Sequence, residues 1–392
     1  MSEETALGGL RVLDLSESVA GQFCSRLLAD YGASVILVEP PSGSAIRALP
    51  PFRIKAGEIV DSLLFWHLNT DKRSITLDWH QPSGHRILGM LARQADILIT
   101  DRSLDREAFR AINPRLITCL VSDFGETGPR ADWQGSELIH QALGGTMFTT
   151  GELGREPLYG MGHRTQYATG VTAYITILAA LHARDSETLD AGPTRRGQDV
   201  EASVAEAVAA MGQAFATQYQ YNGTYFQRER YPNVLRLIHC RDGWAVVFAN
   251  ERWGAICAAF KREELATDPR FSTLVERQKH WREAVALLQE SAQHLSVDEV
   301  VQEAQKNKAV ISKVMNLPDV WEDEHLRVRG FWERVKTPHA DRVALGPVFR
   351  MSETPRQPLR PAPGLGQDNS EILGALGITS DEIEQLRAVG IV

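Results

Sequence analysis

The chain has 392 residues, 43% hydrophobic and 23% charged, which is enough apolar material for a large core that needs no disulfide or metal. Its 42 basic and 50 acidic side chains leave a net charge of −8, a surface that repels phosphate backbones and counts against a dedicated nucleic-acid binder. Cys24, Cys119, Cys240 and Cys257 are far apart and form no CxxC pair, which disfavours a disulfide scaffold and a zinc site.

The opening Met-Ser-Glu-Glu-Thr has no basic region followed by an apolar run, so no signal peptide is expected. Strand-like and helix-like segments then alternate. Leu10–Leu15 reads as a buried strand, Ser16–Gly21 as a polar turn, and Gln22–Tyr31 as a helix closed by Gly32. Val35–Val38 is the next strand. Ser74–Leu77 (strand), His85–Arg93 (helix), Asp96–Ile99 (strand) and Leu116–Val121 (strand) continue the pattern. This alternation predicts an α/β, Rossmann-like domain with a parallel sheet covered on both faces. The loop after the first strand carries one glycine, not G-x-G-x-x-G, and no phosphate-cradling G-x-x-x-x-G-K-[ST] occurs, so no dinucleotide or nucleoside triphosphate cofactor is expected.

Ala168–Ala183 reads as one long apolar helix, too short in its apolar run near Val171–Ala183 to span a bilayer. The expectation is a cytoplasmic protein. A polar loop, Asp185–Gln198, follows, and Asp199–Met211 shows helical spacing at Val200, Val204, Ala207 and Val208. Past Tyr221 the composition changes. Asn222-Gly-Thr is a turn, Gln227–Tyr231 a charged loop, Trp244–Phe248 a strand, and Trp253 to about Glu303 is rich in helix formers, which together predict a smaller α+β domain. Pro355, Pro358, Pro361 and Pro363 predict an extended linker, and Thr379 with Glu382 a capping box before a last helix, Asp381–Val389. The histidines show no metal-ligand spacing, so no metal is expected.

Several segments, taken in order, are similar to those of the family III CoA-transferases, the CaiB/BaiF family. They are Leu10–Leu15 with Tyr31-Gly-Ala-Ser-Val-Ile-Leu-Val-Glu39, Leu68-Asn-Thr-Asp-Lys-Arg-Ser74, Asn113-Pro-Arg-Leu-Ile117 and Phe124-Gly-Glu-Thr-Gly-Pro129. Gln141–Gly145, Leu178–Arg184, Arg196-Gly-Gln198, Leu265–Phe271 and Arg360–Gly366 follow. The resemblance covers nearly the whole chain. It implies a large CoA-binding domain from residues 1–222 together with 323–392, a small domain over 223–322, and an interlocked dimer.

The resemblance also implies a chemistry. In the family an Asp carboxylate attacks an acyl-CoA thioester, forms a mixed anhydride and releases CoA thiolate, which returns to a new acid. That Asp lies four residues before a glycine at the start of the long helix. The glycine here is Gly170, and the position four before it is Gln166. A neutral amide is a poor nucleophile, so the anhydride route is put in doubt. The related racemase branch uses a His in G-H-D, where this chain reads Gly135-Ser-Glu137. Glu137 and His163 are the remaining acid–base candidates, with Arg164 a candidate for an anion; for Glu137 the alternative is a carboxylate held by backbone N–H groups near a helix start.

For CoA, a thioester substrate or ligand rather than a resident cofactor, the resemblance implies Val19 and Ala20 at the thioester and pantetheine end. Asn69, Lys72 and Arg73 are implied at the nucleotide end. Two departures stand out: Leu37 replaces a frequent Lys, and Thr100-Asp-Arg-Ser-Leu-Asp105 stands where E-N-F-R-P-G is common, leaving Arg102 as a substitute cation. The expected partners are an acyl-CoA and a small carboxylic acid, with no nucleic acid and no membrane. The expected assembly is a homodimer or a heteromer with a paralogue that keeps the Asp.

Overall fold

A computed structural model describes residues 5–151, 154–186, 196–212, 215–225, 228, 235–249, 252–337 and 341–392. The chain divides into two compact units, one from 1–147, 158–214 and 330–392, the other from 148–157 and 215–329.

The first unit begins with strand β1 (Arg11–Asp14), helix α1 (Val19–Asp30) and strand β2 (Ser34–Glu39). The antiparallel hairpin β3 (Phe52–Lys55) and β4 (Glu58–Ser62), α2 (Leu63–Leu68) and β5 (Arg73–Thr76) follow. Next come α3 (Pro82–Ala92), β6 (Ile97–Thr100), α4 (Arg106–Ile112), β7 (Ile117–Ser122), α5 (Glu137–Leu143), α6 (Arg164–Asp185), β8 (Asp199–Ser203) and α7 (Val204–Ala210). Six strands form one parallel sheet in the order β5-β2-β1-β6-β7-β8. The order reverses between β1 and β6, and a ligand crevice in an open α/β sheet opens at such a point, beyond the strands' carboxyl ends.

Strand side chains alternate between the two faces, and the core follows. Val12, Val35, Ile97 and Ile99 pack under α1 and α6, while Leu13, Ile75 and Leu98 pack with α3 and the C-terminal helices. Those helices are α15 (Asn369–Ala375) and α16 (Ser380–Ala388). Helix α1 starts at Val19, inside the stretch expected to be a turn, because Ser18 caps it by accepting the Gly21 N–H.

One expectation is corrected here. Residues 199–203 are not helical: they form β8, parallel to β7, and only Val204–Ala210 is helix. Val200, Val204 and Val208 recur every fourth residue, a spacing that satisfies a period of two as well as one of 3.6. Ser203 ends the strand and caps the helix through the Glu206 N–H.

The second unit carries α8 (Phe215–Asn222), the antiparallel strands β9 (Leu235–Cys240) and β10 (Gly243–Phe248), α9 (Trp253–Ala259), α10 (Leu274–Lys279), α11 (Trp281–Ala292), α12 (Val297–Lys306), β11 (Ile311–Lys313), α13 (Leu317–Glu322) and α14 (Glu324–Val328). Ile238, Ala245, Val247, Phe260, Phe271, Trp281 and Leu288 form its core. The chain then returns to the first unit through a β12 (Trp332–Val335) and β13 (Arg342–Leu345) hairpin, a proline-rich stretch without regular structure, α15 (Asn369–Ala375) and α16 (Ser380–Ala388). The capping box of Thr379 and Glu382 is present. Most of the loop expected over Asp185–Gln198, and all but Arg228 of the one expected over Gln227–Tyr231, lie outside the described residues. Among the described residues no helix is long and apolar enough to cross a membrane.

Candidate active site

The turn from β1 into α1 is held from below by a buried polar network. Asp14 accepts hydrogen bonds from the Ser16 N–H at 3.0 Å, the Ser16 hydroxyl at 2.6 Å, the Ser25 hydroxyl and Lys72 Nζ at 3.1 Å. Lys72 also donates to the Gln22 carbonyl at 2.9 Å and to Asn69 Oδ1 at 2.8 Å. Asn69 Nδ2 donates to Gln22 Oε1 and to the Phe65 carbonyl, both at 2.9 Å. The Lys72 and Asp14 side chains are both fully buried. Burial pulls the Lys72 ammonium below its usual range, and Asp14 opposes that shift.

This arrangement separates residues expected to share one nucleotide site. Asn69 and Lys72 point inward and spend their polar atoms on the protein. Arg73, the next residue and the first of β5, lies at the amino edge of the sheet and pairs with Glu371 at 3.2 Å. Consecutive side chains along a strand face opposite sides, so Lys72 and Arg73 do not meet. Asn69, Lys72 and Arg73 therefore do not form a joint cationic patch in this structure.

The amino end of α1 meets the amino end of α6. A Cβ on Gly170 would fall 2.7 Å from the Ala20 carbonyl oxygen and 3.1 Å from the Phe23 ring, so only glycine lets α6 cross α1 this closely. One turn earlier, the half-buried Gln166 accepts the Ala20 N–H on Oε1 at 3.3 Å. Val19 and Ala20 are the first two residues of α1, where free N–H groups and the helix dipole favour a partial negative charge. The structure thus brings Gln166, Val19 and Ala20 together.

Glu137 opens α5 and spends its carboxylate on α6. It accepts the Thr165 N–H at 3.0 Å, the Thr165 hydroxyl at 2.6 Å and Gln141 Nε2 at 2.7 Å. Gln141 in turn bonds both backbone groups of Gly160, at 2.8 and 2.9 Å. Of the two readings of Glu137, its geometry is that of a carboxylate capping a helix start. His163 occupies the N-cap of α6 without a side-chain capping bond, and Arg164 is exposed with Nε on the Met161 carbonyl at 3.2 Å.

At the end of β6, Arg102 pairs with Glu17, and Asp101 accepts the Glu17 N–H at 2.7 Å. Burial pushes the Asp101 carboxyl up to about 6, and its other oxygen has no hydrogen-bond partner. Beside this pair lies a cavity of about 260 Å³ beyond the carboxyl ends of β1, β2 and β5, walled by Leu15, Val38, Pro40 and Leu77 and closed by Asp78, Trp79, His80, Glu17 and Arg102. The Trp79 and His80 rings lie 3.9 Å apart. Sequence reasoning missed these two, although an aromatic pair directly after a strand at the sheet's carboxyl edge was a signal that could have found them. Among the described residues no group of three or more His, Cys, Asp or Glu could hold a metal.

The chain is 31% identical to the succinyl-CoA–D-citramalate CoA-transferase of Chloroflexus aurantiacus, covering 98% of each chain. It is 30% identical to the formyl-CoA:oxalate CoA-transferase of Streptomyces avermitilis, covering 99% of each. A crystal structure of a CaiB/BaiF family protein from Brucella suis superposes with a TM-score of 0.84 at 28% identity, over 95% of this chain and 99% of that one. The family model for CoA-transferase family III matches residues 7–369, and with these relatives it shows that the chain belongs to CoA-transferase family III.

Proposed function

We propose that this protein binds an acyl-CoA thioester at the reversal point of its sheet and handles it without a covalent acyl anhydride at residue 166. The carrying observation is Gln166, whose amide oxygen accepts the Ala20 N–H at 3.3 Å where the family pattern expects a carboxylate. An amide oxygen at this place can orient α1 and accept a hydrogen bond, but it cannot form the anhydride. The relatives' names pair an acyl-CoA with a small carboxylic acid, and we carry that substrate class to this chain. The cavity beside Trp79 and Arg102 is too small to enclose a nucleotide, but it offers a ring for a base to stack on and, with Arg102 exchanging Glu17 for a phosphate, a cation for the phosphate end of the ligand. Val19 offers its backbone N–H to the thioester oxygen, while the Ala20 N–H is held by Gln166 and reaches the substrate only in exchange for that bond. Asn69 and Lys72 contribute by holding the turn that presents these groups.

A second reading is supported by the same Gln166: a non-catalytic subunit that pairs with an Asp-bearing paralogue. An interlocked dimer is part of both. It is favoured by apolar surface on α5 and α6, where Leu138, Ile139, Leu143, Val171 and Ile175 are each at least 40% exposed. We place the protein in the cytoplasm.

The test is Gln166→Asp, incubated with acyl-CoA and hydroxylamine. The variant is expected to yield a trapped adduct on residue 166 and the wild type none there. A wild-type adduct on Glu137 or Asp101 would show that the nucleophile has moved and overturn the proposal. Calorimetry showing no CoA binding would remove the thioester reading, and copurification of an Asp-bearing paralogue would select the second one.

A further inference from the structure

Arg73 stands at the sheet edge opposite the chemistry just described, and it does not stand alone. A cavity of about 350 Å³ opens between the amino ends of β1, β2 and β5 and the helices α3 and α15. Its volume lies at the lower end of the range, roughly 300–1,000 Å³, of pockets that hold small organic ligands. The rim is polar. Arg11 Nη1 donates to Gln94 Oε1 at 3.3 Å, Arg73 Nη2 donates to the Ser34 hydroxyl at 3.4 Å, and Arg73 Nη1 pairs with Glu371 at 3.2 Å. Arg11 and Ser34 are direct partners across β1 and β2, and Arg73 donates to that same serine, so both arginines line one end of the cavity. The remaining wall is apolar, with Ile36, Leu91, Ile372 and Leu376.

Two cations and one carboxylate leave this rim with a single positive charge. Asp96, which accepts the Arg11 backbone N–H at 3.0 Å, is itself neutralised by Arg184 at 3.1 Å. The Glu371 side chain is 73% exposed, and an exposed pair of this kind is weak and exchangeable. We propose that this cavity is a binding site for an amphipathic monocarboxylate. Its carboxylate takes the place of Glu371 on the Arg73 fork within reach of Arg11 and Ser34, and its hydrocarbon body lies along Ile36, Leu91, Ile372 and Leu376. A planar guanidinium donates two parallel N–H bonds to a carboxylate, and the apolar wall selects a ligand with a hydrocarbon tail over inorganic anions. The site stands apart from the thioester reading, since it lies at the other end of the strands.

Calorimetric titration of the full chain with octanoate tests it. Saturable binding is expected, weakened about tenfold or more in Arg73→Gln and in Arg11→Gln, the scale of one charge-assisted contact. Glu371→Gln frees the Arg73 fork and is expected to bind octanoate more tightly than the wild type. That variant changes an exposed side chain and guards against a folding defect in the arginine variants. Octylamine and inorganic phosphate are expected not to compete. Absence of octanoate binding at millimolar concentration would overturn the proposal. So would binding unchanged in Arg73→Gln and Glu371→Gln, which would place the carboxylate at the carboxyl edge instead, or phosphate competing as well as octanoate.

Discussion

Two buried charge networks sit at opposite ends of α1, and they are built to different standards. Beneath the first turn, Lys72 and Asp14 are fully buried, and Lys72 has three partners within hydrogen-bond distance. Near the last turn, Arg26 and Asp30 pair at 3.6 Å, Arg356 and Asp30 at 3.6 Å, and Arg26 Nη1 faces both nitrogens of His67. There Arg26 Nε, Asp30 Oδ1 and Arg356 Nε and Nη1 have no hydrogen-bond partner. Burial raises the Asp30 carboxyl above its usual range and drives His67 down to about 3, so His67 stays neutral beside Arg26. A buried ion pair repays its desolvation only when its remaining donors and acceptors are satisfied. The first network meets that condition and carries the candidate site; the second does not, and it fastens the returning C-terminal segment through Arg356.

The comparison is broken most sharply by Lys72→Met. Removing the cation strands Asp14 in the interior, and a cost of about 3–5 kcal/mol is expected in chemical denaturation. Asp30→Asn acts on the poorly satisfied network, where a carboxylate is already disfavoured in its charged form. Its cost is expected to be smaller, about 1–2 kcal/mol by the same measurement. A larger loss from Asp30→Asn than from Lys72→Met would reverse the ranking of the two networks.

Asp101 sharpens the point in the opposite direction. Its carboxyl is raised to about 6, above the ordinary value of 3.8, so the folded state holds that proton more tightly than the unfolded chain does. Ionisation therefore costs stability, and the cost grows as pH rises from about 4 to about 6. Asp101→Asn keeps an oxygen for the Glu17 N–H without the charge. It is expected to stabilise the protein by on the order of 1 kcal/mol at neutral pH and by little below pH about 4, as read from melting curves across that range.

Much of this architecture is legible along the chain. Apolar runs such as Val35–Val38 and Asp96–Ile99, separated by amphipathic segments, lead directly to the parallel sheet. The failure at Asp199–Ser203 shows the limit: a five-residue edge strand abutting a helix offers too few residues to separate two periods. At the site, Gly170 and Gln166 are legible only through the resemblance to the family pattern; the close helix crossing that requires the glycine is visible only in the fold. The separation of Lys72 from Arg73 is not, because a motif records order along the chain and not the face on which each side chain emerges. The Trp79 and His80 cavity is also lost in the sequence, since its walls come from three strands that are neighbours only in the folded sheet.

The contact between Glu137 and Thr165 has a mechanical side. Gln141 clamps Gly160, Glu137 clamps Thr165, and Gln166 is the next residue along α6. The last residues before α6 and its first turn, from Gly160 to Thr165, are thereby fastened to one short helix. The reach of the Gln166 amide toward Ala20 is thus set from α5 as by a bracket, since the residue before it is the one that Glu137 holds.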